Sequence, residues 1–171
     1  MLSPEKIVLA VRVDDWNSDI NWILLEEYEG VGFEDVEEIS LTKRDLEILP
    51  DSLGYLINLE NFTVFGSPIS SLPASICYLL NLINRTLSDL PISELPASFG
   101  NLISLAYFTV RGGNLSALPE SFGDLPCLQN LCLSRIPWSS FPETFGDLRS
   151  LERLDLSHIR DQIFARLFWT A

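Results

Sequence analysis

Basic residues are scarce in this chain: 11 Lys and Arg stand against 24 Asp and Glu, a net charge of −13 at pH 7. Nucleic-acid phosphates and anionic lipid both call for a basic face, so neither is an expected partner. Histidine occurs once, at His158, which leaves no ligand set for a zinc-type metal. The three cysteines, Cys77, Cys127 and Cys132, make no metal-ligand spacing, and an odd number of thiols suits a reducing compartment. No apolar run approaches the roughly 20 residues of a membrane span. The run from Ile7 to Val11 is cut by Arg12 and followed by Asp14 and Asp15, without the small-residue cleavage site of a secretory leader. No glycine-rich phosphate loop occurs; Gly112-Gly113 alone reads as a turn. The expectation is a soluble cytoplasmic protein with no cofactor and no metal.

What the sequence does have is a 23-residue period. Cut at Leu49, Leu72, Leu95, Leu118 and Phe141, it yields five segments of equal length. Each opens with Leu-Pro or Phe-Pro and has Ser or Thr at its fourth position. Leu53, Ile76, Phe99, Phe122 and Phe145 occupy the fifth, and Gly54, Cys77, Gly100, Gly123 and Gly146 the sixth. Leucine then recurs at the eighth (Leu56 to Leu148) and the eleventh (Leu59 to Leu151). Self-similarity at this period predicts a solenoid, in which no unit buries its apolar face alone. Within each unit, alternation such as Phe62-x-Val64 is strand periodicity. One short strand per unit, all of one sense, predicts a parallel sheet, with the Leu-Pro-x-Ser-Phe-Gly portion returning the chain as a turn or short irregular helix.

The flanks differ. Residues 1–48 carry 13 of the 24 acids and four of the 11 bases, net −9, and 1–35 read as an acidic N-terminal cap. Ser3-Pro4-Glu5 is a plausible helix start, although the β-branched Ile7, Val8, Val11 and Val13 keep a strand open. Asp19 to Glu29 is the better helix, with Trp16 and Trp22 covering the end of the array. Residues 36–163 are the repeats: a degenerate first unit containing Val36, Ile39, Leu41 and Leu46, then 49–71, 72–94, 95–117, 118–140 and 141–163. Residues 164–171 read as a C-terminal cap of helical spacing, which, left unpacked, would allow weak self-association at that end of a chain otherwise expected to be monomeric.

This pattern resembles the leucine-rich repeat proteins of the 23-residue kind, Leu-Pro-x-x-Phe/Ile-Gly-x-Leu-x-x-Leu-x-x-Leu-x-Leu, found in bacterial proteins and intracellular scaffolds. The resemblance covers residues 36 to about 163. It implies an α/β solenoid with a concave parallel β-sheet, short irregular or helical convex segments, and a surface that usually binds protein. Two features depart from the family. Its customary Asn after the strand is replaced at Arg44, Ser67, Leu90, Gly113, Ile136 and Ile159; Pro68, Pro91 and Pro137 follow, suggesting turns built on rigid extended proline segments. Arg85 also falls in the inward column of Phe62, Phe108, Leu131 and Leu154. An unpaired guanidinium there is costly. Either a bulge turns Arg85 outward, which is the expectation, or Asp89 or a carboxylate ligand pairs with it.

Strand alternation also gives the outward columns. The first is Glu38, Asn61, Asn84, Tyr107, Asn130, Arg153; the second Ser40, Thr63, Thr86, Thr109, Cys132, Asp155; the third Thr42, Phe65, Ser88, Arg111, Ser134, Ser157. The threonine ladder is accounted for by strand propensity. Phe65, Tyr107, Arg111, Asn130, Arg135 and Arg153 are the candidate partner-binding residues, since Tyr and Arg are enriched among interface hot spots. Cys132, Asp155 and His158 could be drawn as a triad, but an open sheet supplies neither pocket nor oxyanion donors, so no catalytic residue is assigned. The expected function is a non-catalytic module binding a partner protein on the sheet face. The alternative is an acidic inhibitor, of the immunity-protein type, that neutralises a basic enzyme through its N-terminal cap.

Overall fold

The computed structural model describes residues 7–11, as backbone only, together with 36–41 and 47–158. The expected caps at Asp19–Glu29 and in the C-terminal tail lie outside these residues, as does most of the acidic first third. Seven parallel strands form one sheet in strict chain order: β1 (Ile7–Val11), β2 (Val36–Leu41), β3 (Asn61–Phe65), β4 (Asn84–Ser88), β5 (Tyr107–Arg111), β6 (Asn130–Ser134) and β7 (Arg153–Asp155). At Ile7–Val11 the strand reading therefore holds, and the sheet begins inside the segment expected to be a cap. The degenerate unit pairs in the anticipated phase, Ile39 opposite Phe62 and Leu41 opposite Val64. Among the described residues no helix is long and apolar enough to cross a membrane.

Each return segment contains one 3-10 turn, at Asp51–Tyr55, Ala74–Tyr78, Phe99–Asn101, Glu120–Asp124 and Glu143–Asp147. The Leu-Pro start explains this. Proline 50 is extended (φ −75°, ψ 156°), and its carbonyl accepts from Leu53 N at 3.1 Å, after which Leu53 O accepts from Leu56 N at 3.2 Å. Bonds spaced by three residues make a tight turn that carries the chain round within a few residues. Fifth-position and leucine side chains fill the space between this row and the sheet: Leu53, Ile76, Phe99 and Phe122 are fully buried, as are Leu59, Leu82, Leu105 and Leu128. Each such burial contributes about 1.5–3 kcal/mol relative to exposure. Phe99, Phe108 and Phe122 form an aromatic cluster with centroids 5.1–5.9 Å apart.

The sixth-position glycines set how closely the units stack. A Cβ on Gly54 would lie 2.7 Å from Ser75 O, and one on Gly100 or Gly123 would run into the carbonyl of Ser121 or Thr144. Cys77 occupies the same position in the 72–94 unit and is fully buried. The turn stacked on it is the shortest of the five, Phe99–Asn101 with three residues against five elsewhere. A side chain where its neighbours have only hydrogen explains the shortening.

The bends after the strands follow a rule the sequence concealed. Gly66, Asp89, Gly112, Arg135 and His158, spaced by 23, all have φ between 54° and 66°. The turn is thus made by one left-handed residue, and the proline segment follows it as irregular chain. Gly66 N, Asp89 N and Gly112 N donate to Ser88 O, Arg111 O and Ser134 O of the next unit at 2.8–3.0 Å, so these bends are tied together along the array. A residue with a Cβ is disfavoured here. Arg135→Gly is expected to stabilise the protein by about 1 kcal/mol, measured as a higher urea midpoint with an unchanged denaturant slope.

Arg85 corrects the bulge expectation. Strands β3, β4 and β5 pair without interruption, Phe62 opposite Arg85 and Arg85 opposite Phe108. The side chain points inward and is 1% exposed. Its guanidinium carbon lies 5.5 Å from the Phe62 ring centroid and 5.1 Å from that of Phe99. Nε, Nη1 and Nη2 are buried with no hydrogen-bond partner among the described residues, so Asp89 does not pair with it. Burial pulls this group down to about 9, partly opposed by Cys77. The quadrupole of two aromatic faces takes the place of a carboxylate.

Candidate functional site

The first two outward columns pair as expected from Glu38 and Ser40 to Arg153 and Asp155, and the third from Phe65 to Ser134, with Thr42 outside the described residues, but the columns are not uniform. In β3, β4 and β6 the first-column Asn61, Asn84 and Asn130 are half-buried, and Asn84 Nδ2 donates to Asn61 Oδ1 at 2.7 Å. Ser88 and Ser134 of the third column are buried, 8% and 6% exposed, and contribute no surface. Tyr107 stands out from the strand at 45% exposure, and Phe65 at 52%.

Register brings three of the six candidates into one row. Tyr107 faces Asn130 across β5 and β6, and Asn130 faces Arg153 across β6 and β7. Behind them Thr109, Cys132 and Asp155 form the next row. Together with Leu131, Leu154 and Glu152 these residues line an open hollow of about 540 Å³. Arg111 lies four residues along β5 from Tyr107, roughly 13 Å, and its charge still acts on Asp155. Phe65 pairs with Ser88, which pairs with Arg111, so it sits two strands from Arg111, roughly 10 Å, and outside the hollow. Arg135 is exposed in the left-handed bend after β6, also outside the hollow.

Asp155 is held below the usual carboxylate range by backbone and side-chain hydrogen bonds from Ser157, helped by Cys132 and Arg111. Ser157 N donates to Asp155 Oδ1 at 2.9 Å, and Cys132 Sγ lies 3.6 Å from Asp155 Oδ2. The thiol thus faces a carboxylate rather than the imidazole, while His158 occupies the positive-φ bend beyond the strand. Among the described residues no group of three or more His, Cys, Asp or Glu could hold a metal ion. The hollow's floor is hidden from the sequence because alternation places both Leu131 and Leu154 inward; Leu131 is buried, but Leu154, on β7, is 42% exposed.

No family model and no curated protein sequence matches the chain. Solved structures do. An LRR protein of Leptospira interrogans superposes with a TM-score of 0.71 at 27% identity, over 78% of this chain and 35% of that one. The leucine-rich repeat domain of the type III effector XopL gives 0.68 at 27%, over 71% and 44%. The plant peptide hormone receptor RGFR1, in complex with RGF2, gives 0.53 at 26%, over 74% and 25%. The chain is a leucine-rich repeat protein. It spans less than half the length of each of these three structures.

Proposed function

We propose that this protein is a non-catalytic interaction module that binds a partner protein on the open, concave face of its sheet, around Tyr107, Asn130 and Arg153. The carrying observation is the unbroken Tyr107–Asn130–Arg153 row bordering the hollow, in which an exposed aromatic, an amide and a guanidinium meet on rigid strands. Tyr and Arg dominate interface energetics, and strands hold them at low entropic cost. The likeness to a peptide hormone receptor solved with its ligand supports a protein or peptide partner. Three unpaired thiols, Cys77 buried and Cys127 exposed among them, support a reducing, cytoplasmic setting. Phe65, Arg111 and Arg135 would extend the contact outward.

The test is a pull-down from native lysate with the wild type beside a Tyr107→Ala/Arg111→Glu double variant, at low and high salt. The expected result is a partner retained by the wild type and lost by the variant at both salt concentrations, corresponding to at least roughly 30-fold weaker binding for a hot spot of about 2 kcal/mol. A partner kept by the variant and released by salt would move the site to the acidic segment 1–35 and favour the inhibitor reading.

A further inference from the structure

A second surface is written on the flank where each chain unit leaves its 3-10 turn and returns towards the sheet. Two columns run along it. The first is Tyr55, Tyr78, Asn101, Asp124, Asp147; the second is Ile57, Leu80, Ile103, Pro126, Arg149. Leucines around them are buried, so these positions are free to be polar, and in the last two units all but Pro126 are. In the first three units only Asn101 is: Tyr55 and Tyr78 remain 69% and 66% exposed, with Ile57, Leu80 and Ile103 about half exposed beside them. The ridge is held in shape between units. Asn81 Nδ2 donates to Ile57 O at 2.9 Å and lies 3.4 Å from Asn58 Oδ1.

The ridge comes to roughly 500 Å² of apolar and aromatic side chain, at the upper end of what a monomer leaves uncovered. It falls short of the roughly 800 Å² per partner that a stable dimer buries, which argues against a second copy. It is also continuous with a net acidic stretch. Beyond Ile103 the same flank presents Asp124 and Asp147, with Glu120 and Glu143 exposed beside them. Arg149 is the lone base in these columns.

We infer that this flank is a second docking surface, distinct from the sheet face, and that its occupant is a short segment of a partner protein with an apolar half followed by a basic half. The apolar half lies on Tyr55, Tyr78, Leu80 and Ile103, and the basic half on Asp124 and Asp147. Five units at strand spacing span roughly 20 Å, the length of about 13 helical residues.

The probe is a fluorescent 14-residue amphipathic peptide with leucines on one face of its first half and lysines in its second, titrated into the full chain. A Leu/Glu peptide of the same layout is the control. The wild type is expected to bind the Leu/Lys peptide and not the Leu/Glu peptide. Affinity should fall at least tenfold in Tyr55→Ser/Tyr78→Ser/Leu80→Ser and also in Asp124→Lys/Asp147→Lys, with unchanged circular dichroism. It should not change in Tyr107→Ala/Arg111→Glu, which separates this surface from the proposed sheet-face site. The inference is overturned if the wild type does not bind the Leu/Lys peptide. Equal binding by the triple-serine variant overturns it too, as does sedimentation showing self-association that this variant abolishes, since the occupant would then be a second copy.

Discussion

Arg85→Leu is expected to stabilise the protein by about 2–4 kcal/mol, raising its melting temperature by on the order of 10 °C. Leucine already fills the equivalent place at Leu131 and Leu154; it is smaller than arginine, so the space left beside Phe62 and Phe99 returns part of the gain from removing the charge. What it removes is a fully buried guanidinium with no hydrogen-bonding partner among the described residues. Two aromatic faces return only about 2 kcal/mol of the desolvation. The pH dependence gives an independent check. The group is pulled down to about 9 when folded and titrates well above that when free, so the unfolded chain holds the extra proton in the interval between the two. Stability from this site therefore rises with pH across that interval, and the penalty is complete below 9. The difference between wild type and Arg85→Leu should be flat from about pH 6 to 8 and shrink above 9, while contributions of other groups cancel. A variant less stable than wild type would mean that the guanidinium is anchored by groups beyond the described residues.

Gly100→Ala is expected to cost about 2–3 kcal/mol. The added methyl meets the Ser121 carbonyl of the next unit, a backbone atom that cannot swing aside. Cys77 shows how the array yields to such a side chain, by shortening the turn stacked against it. In the variant the turn at Glu120–Asp124 should shorten likewise and pull Phe122 from its stack on Phe99, now 5.8 Å between centroids. Gly66→Ala separates conformation from contact. Gly66 has φ 63° and nothing within 4 Å of its missing Cβ, so that change should cost only about 1 kcal/mol. Urea unfolding of the two variants gives the comparison. Equal losses would show that crowding between units is not what the sixth position guards.

The period and the alternation of residues within it made most of this fold legible. Pairings such as Thr63–Thr86–Thr109 lie where phase alone puts them, because a 23-residue unit that stacks on itself has one register that buries every leucine. Arg85 departs from its expected outward bulge for a definable reason: the groups that meet it are not carboxylates but Phe62 on the neighbouring strand and Phe99 from the next turn. The left-handed bends were hidden because glycine marks only Gly66 and Gly112, with Asp89, Arg135 and His158 between and beyond them. Of the candidate site, Tyr107, Asn130 and Arg153 could be placed in one row from spacing. The hollow beside them could not, since it depends on how far Leu154 is left uncovered.

The unit 72–94 holds both irregularities of the core, Cys77 for glycine and Arg85 for an apolar residue, and the two act on each other electrostatically. Held at its ends and pulled, a row of stacked units parts first where its layers grip least. Here that place is between the Ala74–Tyr78 and Phe99–Asn101 turns. The first rupture in a force–extension trace would fall there, leaving a tyrosine-bearing fragment on one side and the Tyr107–Arg153 face whole on the other.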